Sequence, residues 1–313
     1  MDFSFGVFNT PRDLLNAYRN GFDGAVCDPE ETAELLGRLK TPLFGATAYK
    51  LFGAGEGKLS LPFLSLLKFD KGFGPAEKQT TGDCVSHSTR NAIDLTRAVE
   101  IDIKGESEDF VARSATEAIY QSRGHRSQGM TCSGAAKYVH EKGGILLRKD
   151  YGKVNLSKYN SSLGARHNIP KSIYIDEASK HRVTTISAIT TVEEARDALA
   201  NGYGISVCSG YGFSSRRDSK GIAKKSGGWA HAMAWIACDD TRDRYNEMLF
   251  LVQNSWGKWN SGPKVHGQPD GSFWIRERDA RGMLSGNWGS WVFSDVDGFP
   301  ARKLPNYGFK KYL

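Results

Sequence analysis

Apolar positions along this chain follow two rhythms. In the first half they recur at the spacing of an amphipathic helix, and after Gly202 they gather into short strand-like runs. Val85, Ala92, Leu95 and Val99 mark a helix from Cys84 to about Glu100. Asp28-Pro29-Glu30-Glu31 supplies a cap, a proline at the first helical position and an acidic first turn, and Leu35, Leu36 and Leu39 form that helix's apolar face. Thr10-Pro11 with Asp13 repeats the signal nearer the N-terminus, with Gly21 as a stop. Ser114-Ala115-Thr116-Glu117 and Thr191-Val192-Glu193-Glu194 have the form of capping boxes, and residues 133–143 predict a short helix closed by Gly143-Gly144. Ile205-Ser206-Val207 and the stretches 232–237, 248–253 and 272–275 predict strands. The class is therefore α+β, helix-rich first and strand-rich second, without internal repeats or low-complexity segments.

Cysteine, histidine and asparagine then stand out at three places. Cys84 follows Gly82-Asp83 where a helix begins, and a helix N-terminus favours the thiolate, which is the nucleophilic form. His231 opens the apolar run Ala232-Met233-Ala234-Trp235, and Asn254 closes the run Met248–Gln253, 23 residues further on. Two neighbouring strands would thus carry a base and the group that holds its ring in the useful tautomer. Taken singly, a buried cysteine is a small core residue and a strand histidine a satisfied core residue. The three together, in this order, point to thiol chemistry.

The same segments resemble the papain-like cysteine peptidases. Gln79-Thr80-Thr81-Gly82-Asp83-Cys84 is similar to that family's Gln…Gly-Ser-Cys approach to the nucleophile. Gly228-Trp229-Ala230-His231-Ala232-Met233 is similar to its His-Ala-Val strand, and Asn254-Ser255-Trp256-Gly257 with Gly271-Ser272-Phe273-Trp274-Ile275-Arg276 to its Asn-Ser-Trp-Gly…Gly-Tyr-Ile-Arg stretch. Cys132-Ser133-Gly134 resembles its Cys-Asn-Gly-Gly turn, and 147 residues separate Cys84 from His231, the family's usual distance. The resemblance covers about residues 61–295. It implies a helical lobe and a β-barrel-like lobe with a cleft between them. It implies Cys84 as nucleophile, His231 as general acid and base, and Asn254 as the residue orienting the ring. Gln79 with the Cys84 amide would form the oxyanion hole, where one donor contributes about 3–4 kcal/mol to the barrier. Trp256 would shield the His–Asn bond, and Ser133 and Gly134 would line the cleft and pair with an extended substrate. The sequence departs from the pattern at Val85, where an aromatic is usual, and at Gln79, one residue closer to the cysteine than usual. At Thr81 a cysteine is usual, which leaves Cys132 without its customary partner. Asp83 would disfavour the thiolate if it points inward and matter little if it points to solvent.

Composition narrows the setting. With 313 residues, 39% hydrophobic and 25% charged, the chain can build one large domain or two lobes. Residues 1–60 are expected as a helical extension, propeptide-like or a dock for an assembly partner, joined through the glycine-rich stretch Phe52–Gly57. Residues 61–300 are expected as the peptidase-like domain and 301–313 as a tail. Five cysteines at low density favour a reducing compartment, and no Cys-x-x-Cys pair suggests zinc. No metal or organic cofactor is expected. The N-terminal residues lack the pattern of a signal peptide, and no apolar run reaches membrane-spanning length, so a cytoplasmic or virion-associated setting is expected before a secreted one. The net charge of +7 comes with no specific nucleic-acid motif. Arg216-Arg217 with Lys220, Lys224-Lys225 and Lys310-Lys311 are expected as solvated faces. The basic loop 214–228 before His231 is expected as a mobile surface loop, with gating of the cleft as the alternative. The functional expectation is a thiol-dependent peptide hydrolase acting on a peptide or protein through an acyl-enzyme. Acyl transfer or amidase action with the same triad is a further option. The alternative class is a catalytically silent papain-like domain serving as a structural module in a larger assembly such as a virus particle.

Overall fold

The computed structural model describes residues 24–70, 77–104 and 112–308, so the helix expected near Thr10–Gly21 and the pair Lys310-Lys311 lie outside the described residues. The helix-rich part starts with β1 (Ala25–Val26) and α1 (Pro29–Arg38), in which Asp28 accepts from the Glu31 amide at 2.9 Å as the sequence predicts. It continues through α2 (Phe44–Thr47), β2 (Leu59–Ser60), α3 (Phe63–Phe69), the long α4 (Cys84–Lys104), α5 (Thr116–Gln121), β3 (Met130–Thr131), α6 (Cys132–Glu141), α7 (Ser161–Ala165) and α8 (Lys171–Glu177). The strand-rich part holds β4 (Thr185–Ala188), α9 (Val192–Ala200), β5 (Ile205–Ser209), β6 (Phe213–Arg217), β7 (Ala223–Lys225), β8 (His231–Asp239), β9 (Leu249–Gln253), β10 (Ser272–Arg276), α10 (Glu277–Ser285) and β11 (Ser290–Ser294). Among the described residues no helix is long and apolar enough to cross a membrane.

One antiparallel sheet organises the molecule, in the order β10-β9-β8-β5-β11-β4, with β2 pairing onto the far end of β8. Its central strand β8 is buried on both faces, which is why it reads as a continuous apolar run. Ala232, Ala234 and Ile236 share cores with Val85, Ala92, Leu95 and Val99 of α4. Met233 and Trp235 sit in another core with Ala195 and Leu199 of α9 and Ala280 and Met283 of α10. A register shift between Trp235 and Ala237 then breaks the alternation, so that Ile236 and Ala237 fall in one core and Cys238 in the other. Gly204 makes the helix–sheet contact close: a Cβ there would stand 2.5 Å from the Ala92 carbonyl oxygen of α4.

Described residues on both sides of position 60 pack together. Phe44, Ala48 and Leu51 belong to the α9 core, Leu59 pairs opposite Asp239, and Gly53 and Gly55 within the expected linker donate to the Asp197 carboxylate at 2.8 and 3.0 Å. Thr191 does form its capping box with Glu194, but Ser114 does not: its hydroxyl and amide both donate to Asp94 of α4, and α5 starts without a side-chain cap. The basic stretch 214–228 contains the β6–β7 hairpin. Arg217 is buried there, because its guanidinium satisfies the carbonyls of Gly262, Pro263 and Ser272 at 2.6–2.9 Å.

Candidate active site

His231 is the first residue of β8 and Asn254 immediately follows the last residue of β9, so adjacent strands deliver the two side chains to one end of the sheet. His231 Nε2 and Asn254 Oδ1 are 2.8 Å apart, and the Ser255 amide donates to the same Oδ1 at 2.7 Å. An amide oxygen only accepts, so Nε2 carries the hydrogen and Nδ1 keeps its lone pair. Nδ1 is buried and makes no hydrogen bond. Trp256 covers the ring, with centroids 4.8 Å apart and planes 32° apart, and Trp229 packs on Trp256 at 4.7 Å. Burial holds the His231 pKa down at about 4; the bond to Asn254 works against this and nearby His87 adds to it. The ring is therefore neutral at pH 7.

Cys84 is the first residue of α4, and that helix lies against the face of β8 and β5 that bears Ala232 and Cys208. The loop before it is tied to the Asn254 segment. The Gln79 amide donates to the Ser255 carbonyl at 2.7 Å, the Ser255 hydroxyl donates to Gln79 Oε1, and Gln79 Nε2 donates to the Thr81 carbonyl at 3.0 Å. Lys78 bridges to Trp256 in antiparallel fashion. Cys84, His231, Asn254 and Gln79 are thus held at one end of α4 and of the β8–β9 pair, and the first three are wholly buried. Asp83 does not face solvent. It is buried, accepts from the Tyr159 hydroxyl at 2.8 Å, and has His87 Nε2 3.5 Å away.

Ser133 and Gly134 lie in the first turn of α6, and Gly134 lines a hollow together with Val26, Met130 and Thr131. Thr131 caps α6 by accepting from the Gly134 amide at 2.9 Å, which draws both residues into the helix's first turn. The Ser133 hydroxyl is shared between Thr32 at 2.7 Å and Trp291 Nε1 at 3.2 Å. Extended pairing happens two to three residues earlier, on β3, where Met130 and Thr131 pair in parallel with Ala25 and Val26. This short strand of the chain itself crosses the site: the Ala25 amide donates to the Ala230 carbonyl at 3.0 Å and the Met130 amide to the Gly24 carbonyl at 2.9 Å. Gly24 has φ +111° and lies so close that a Cβ would stand 2.3 Å from the Gly82 carbonyl oxygen. The strand therefore lies between Gly82, two residues before Cys84, and Ala230, one before His231. Nothing in the local sequence of residues 24–26 signals it.

Cys132 is not left unpaired either. It forms a disulfide with Cys208 of β5, Cα atoms 6.0 Å apart, because its partner comes from the sheet and not from the loop before the nucleophile. The pairing removes one ground for expecting a reducing compartment.

No family sequence model and no curated protein sequence matches the chain. Solved structures do. The cysteine protease and lectin-like domains of Cwp84, a surface layer associated protein of Clostridium difficile, superpose with a TM-score of 0.53 at 15% identity, over 92% of this chain and 60% of that one. The proform of the ragweed pollen cysteine protease Amb a 11 superposes at 0.51 and 13% identity, over 98% and 78%. This is the papain-like cysteine peptidase fold. Xylellain, a cysteine protease from Xylella fastidiosa, aligns at 0.47 and 18% identity over 72% and 83%. At these identities the likeness concerns the papain-like fold itself, and the chemistry must be argued from the residues.

Proposed function

We propose that this protein is a thiol-dependent peptide hydrolase with Cys84 as nucleophile, His231 as general acid and base, and Asn254 as the residue that orients the ring. The observation carrying this reading is the hydrogen bond from His231 Nε2 to Asn254 Oδ1, which leaves Nδ1 as a buried acceptor on the strand packed against the helix that Cys84 opens. In the acylation step the Cys84 proton passes to Nδ1 and the sulfur adds to the substrate carbonyl. The oxyanion is received by the Cys84 amide and the Gln79 side chain, and the imidazolium then protonates the departing amine. Water, deprotonated by the same ring, releases the acyl group. Met130 of β3 supplies the pairing edge for an extended peptide, the edge that Gly24–Val26 now occupies. The resting protein is thus a covered enzyme, and the strand must leave before a substrate enters.

A second reading, a silent interaction module on the same fold, is favoured by that same coverage and by the full burial of Cys84, His231 and Asn254. Intact-mass analysis of the full chain after treatment with a peptidyl epoxide separates them, with Cys84→Ala as control. A single adduct on Cys84, absent from the control, supports the hydrolase. No adduct and no hydrolysis of a peptide library, even in the strand-releasing variant Gly24→Val, favours the module.

A further inference from the structure

Every residue of the loop 79–83 is tied down by another part of the chain, yet among the described residues no covalent link reaches it. Gln79 is held by Ser255, as above. The Thr80 amide donates to the Tyr159 hydroxyl at 3.1 Å, and that hydroxyl donates to Asp83 at 2.8 Å. Burial and the Asp83 charge push the Tyr159 pKa well up, so it remains a donor. The remaining two residues converge on one atom. Gln128 Oε1 accepts from the Thr81 hydroxyl at 2.5 Å, from the Gly82 amide at 2.7 Å and from the Tyr120 hydroxyl at 3.0 Å. Tyr120 in turn accepts from the Gly129 amide at 3.3 Å, which fixes the segment bearing Gln128 from behind. Gln128 stands two residues before Met130, whose amide binds the strand now crossing the site.

We propose that Gln128 is a positioning residue for the chemistry at Cys84, joining the peptide-binding edge β3 to the loop that aims the nucleophile and the Gln79 amide. Thr81 and Cys132, where the resemblance implies a cysteine pair, contribute differently here: Cys132 is bonded to Cys208, and Thr81 reaches the wall through Gln128. Only the acceptor oxygen of Gln128 is used in these bonds. Glutamate keeps this acceptor oxygen while adding a charge, whereas the isosteric methionine leaves the Gly82 amide and the Thr81 hydroxyl without this acceptor.

This proposal rests on the hydrolase reading for its kinetics but not for its structural test. In the full chain carrying Gly24→Val, Gln128→Met is expected to lower kcat for an extended peptide about a hundredfold, the size of effect a small misplacement of reacting groups produces. KM and the melting temperature are expected to stay close to those of the parent, and Gln128→Glu is expected to restore kcat to within about threefold. A merely structural role would move melting temperature and kcat together. Equal kcat in the parent and the methionine variant overturns the proposal. If the parent hydrolyses nothing, the hydrolase reading fails, and hydrogen exchange decides the brace. Faster exchange of the Gly82 and Asp83 amides in Gln128→Met, without change in β8 and β9, supports it, and unchanged exchange refutes it.

Discussion

The two sides of the site are built by different means. His231 and Asn254 stand on neighbouring strands whose ladder positions them, with Trp235 opposite Val252 and Ala234 opposite Gln253. Gln79 to Asp83 stand on an irregular loop that touches the Asn254 segment through the Gln79 amide and the Lys78–Trp256 bridge, and is otherwise held by the side chains of Ser255, Tyr159 and Gln128. A ladder repeats one interaction many times, so losing one side chain changes little. The loop depends on single atoms such as Gln128 Oε1, so one substitution there is expected to shift the segment before Cys84 without melting the fold. Precision on the strand side is a by-product of the fold, and on the loop side it requires dedicated residues.

Three variants sharpen this contrast. The largest effect is expected from Asn254→Ala, which removes the acceptor of both His231 Nε2–H and the Ser255 amide. Peptide hydrolysis in the Gly24→Val background should fall about a hundredfold or more, as expected when a base loses the group fixing its tautomer, while the β8–β9 ladder stays folded by circular dichroism. Loss of the fold in that variant would break the claim that the ladder, not the triad, holds this wall. Next comes acid stability. The His231 pKa is lowered to about 4 in the folded protein, and its ordinary value is near 6.5. The unfolded chain therefore takes up a proton that the folded chain refuses, and stability falls as pH drops from 6.5 towards 4. Between pH 7 and 4.5 His231 alone should cost about 2 kcal/mol. His181, also held down at about 4 by burial, adds in the same direction. Urea unfolding of His231→Phe should show a shallower pH slope than the parent; an identical slope would mean that the ring is not buried as described. The smallest effect is expected from Thr191→Ala, far from the loop, which removes one side of a capping box and should cost about 1 kcal/mol without changing catalysis.

The strand side of the site was legible because its signals are local. The apolar runs 232–237 and 248–253 and the block Asn254-Ser255-Trp256-Gly257 give the strands and their terminal side chains directly. The loop side was legible only at Cys84 and Gln79. Gln128 and Tyr159 are single polar residues in irregular segments, dozens of positions from the loop they brace, with no period to announce them. Cys208 is one apolar strand residue among others until the fold brings it to Cys132. The extended edge at Met130 is not legible, because Thr131 captures the Gly134 amide and starts α6 there, a contest between a cap and a strand that composition does not reveal.

The most direct measurement is the rate of Cys84 modification by a peptidyl epoxide, followed by intact mass in the full chain, in Gly24→Val and in Cys84→Ala. A side chain at position 24 would stand 2.3 Å from the Gly82 carbonyl oxygen, and valine there is expected to release the covering strand. Slow labelling of the parent is expected, with labelling faster by about tenfold or more in Gly24→Val and none in Cys84→Ala. Equal rates in the first two would contradict the cover, and an adduct that survives Cys84→Ala would contradict the nucleophile.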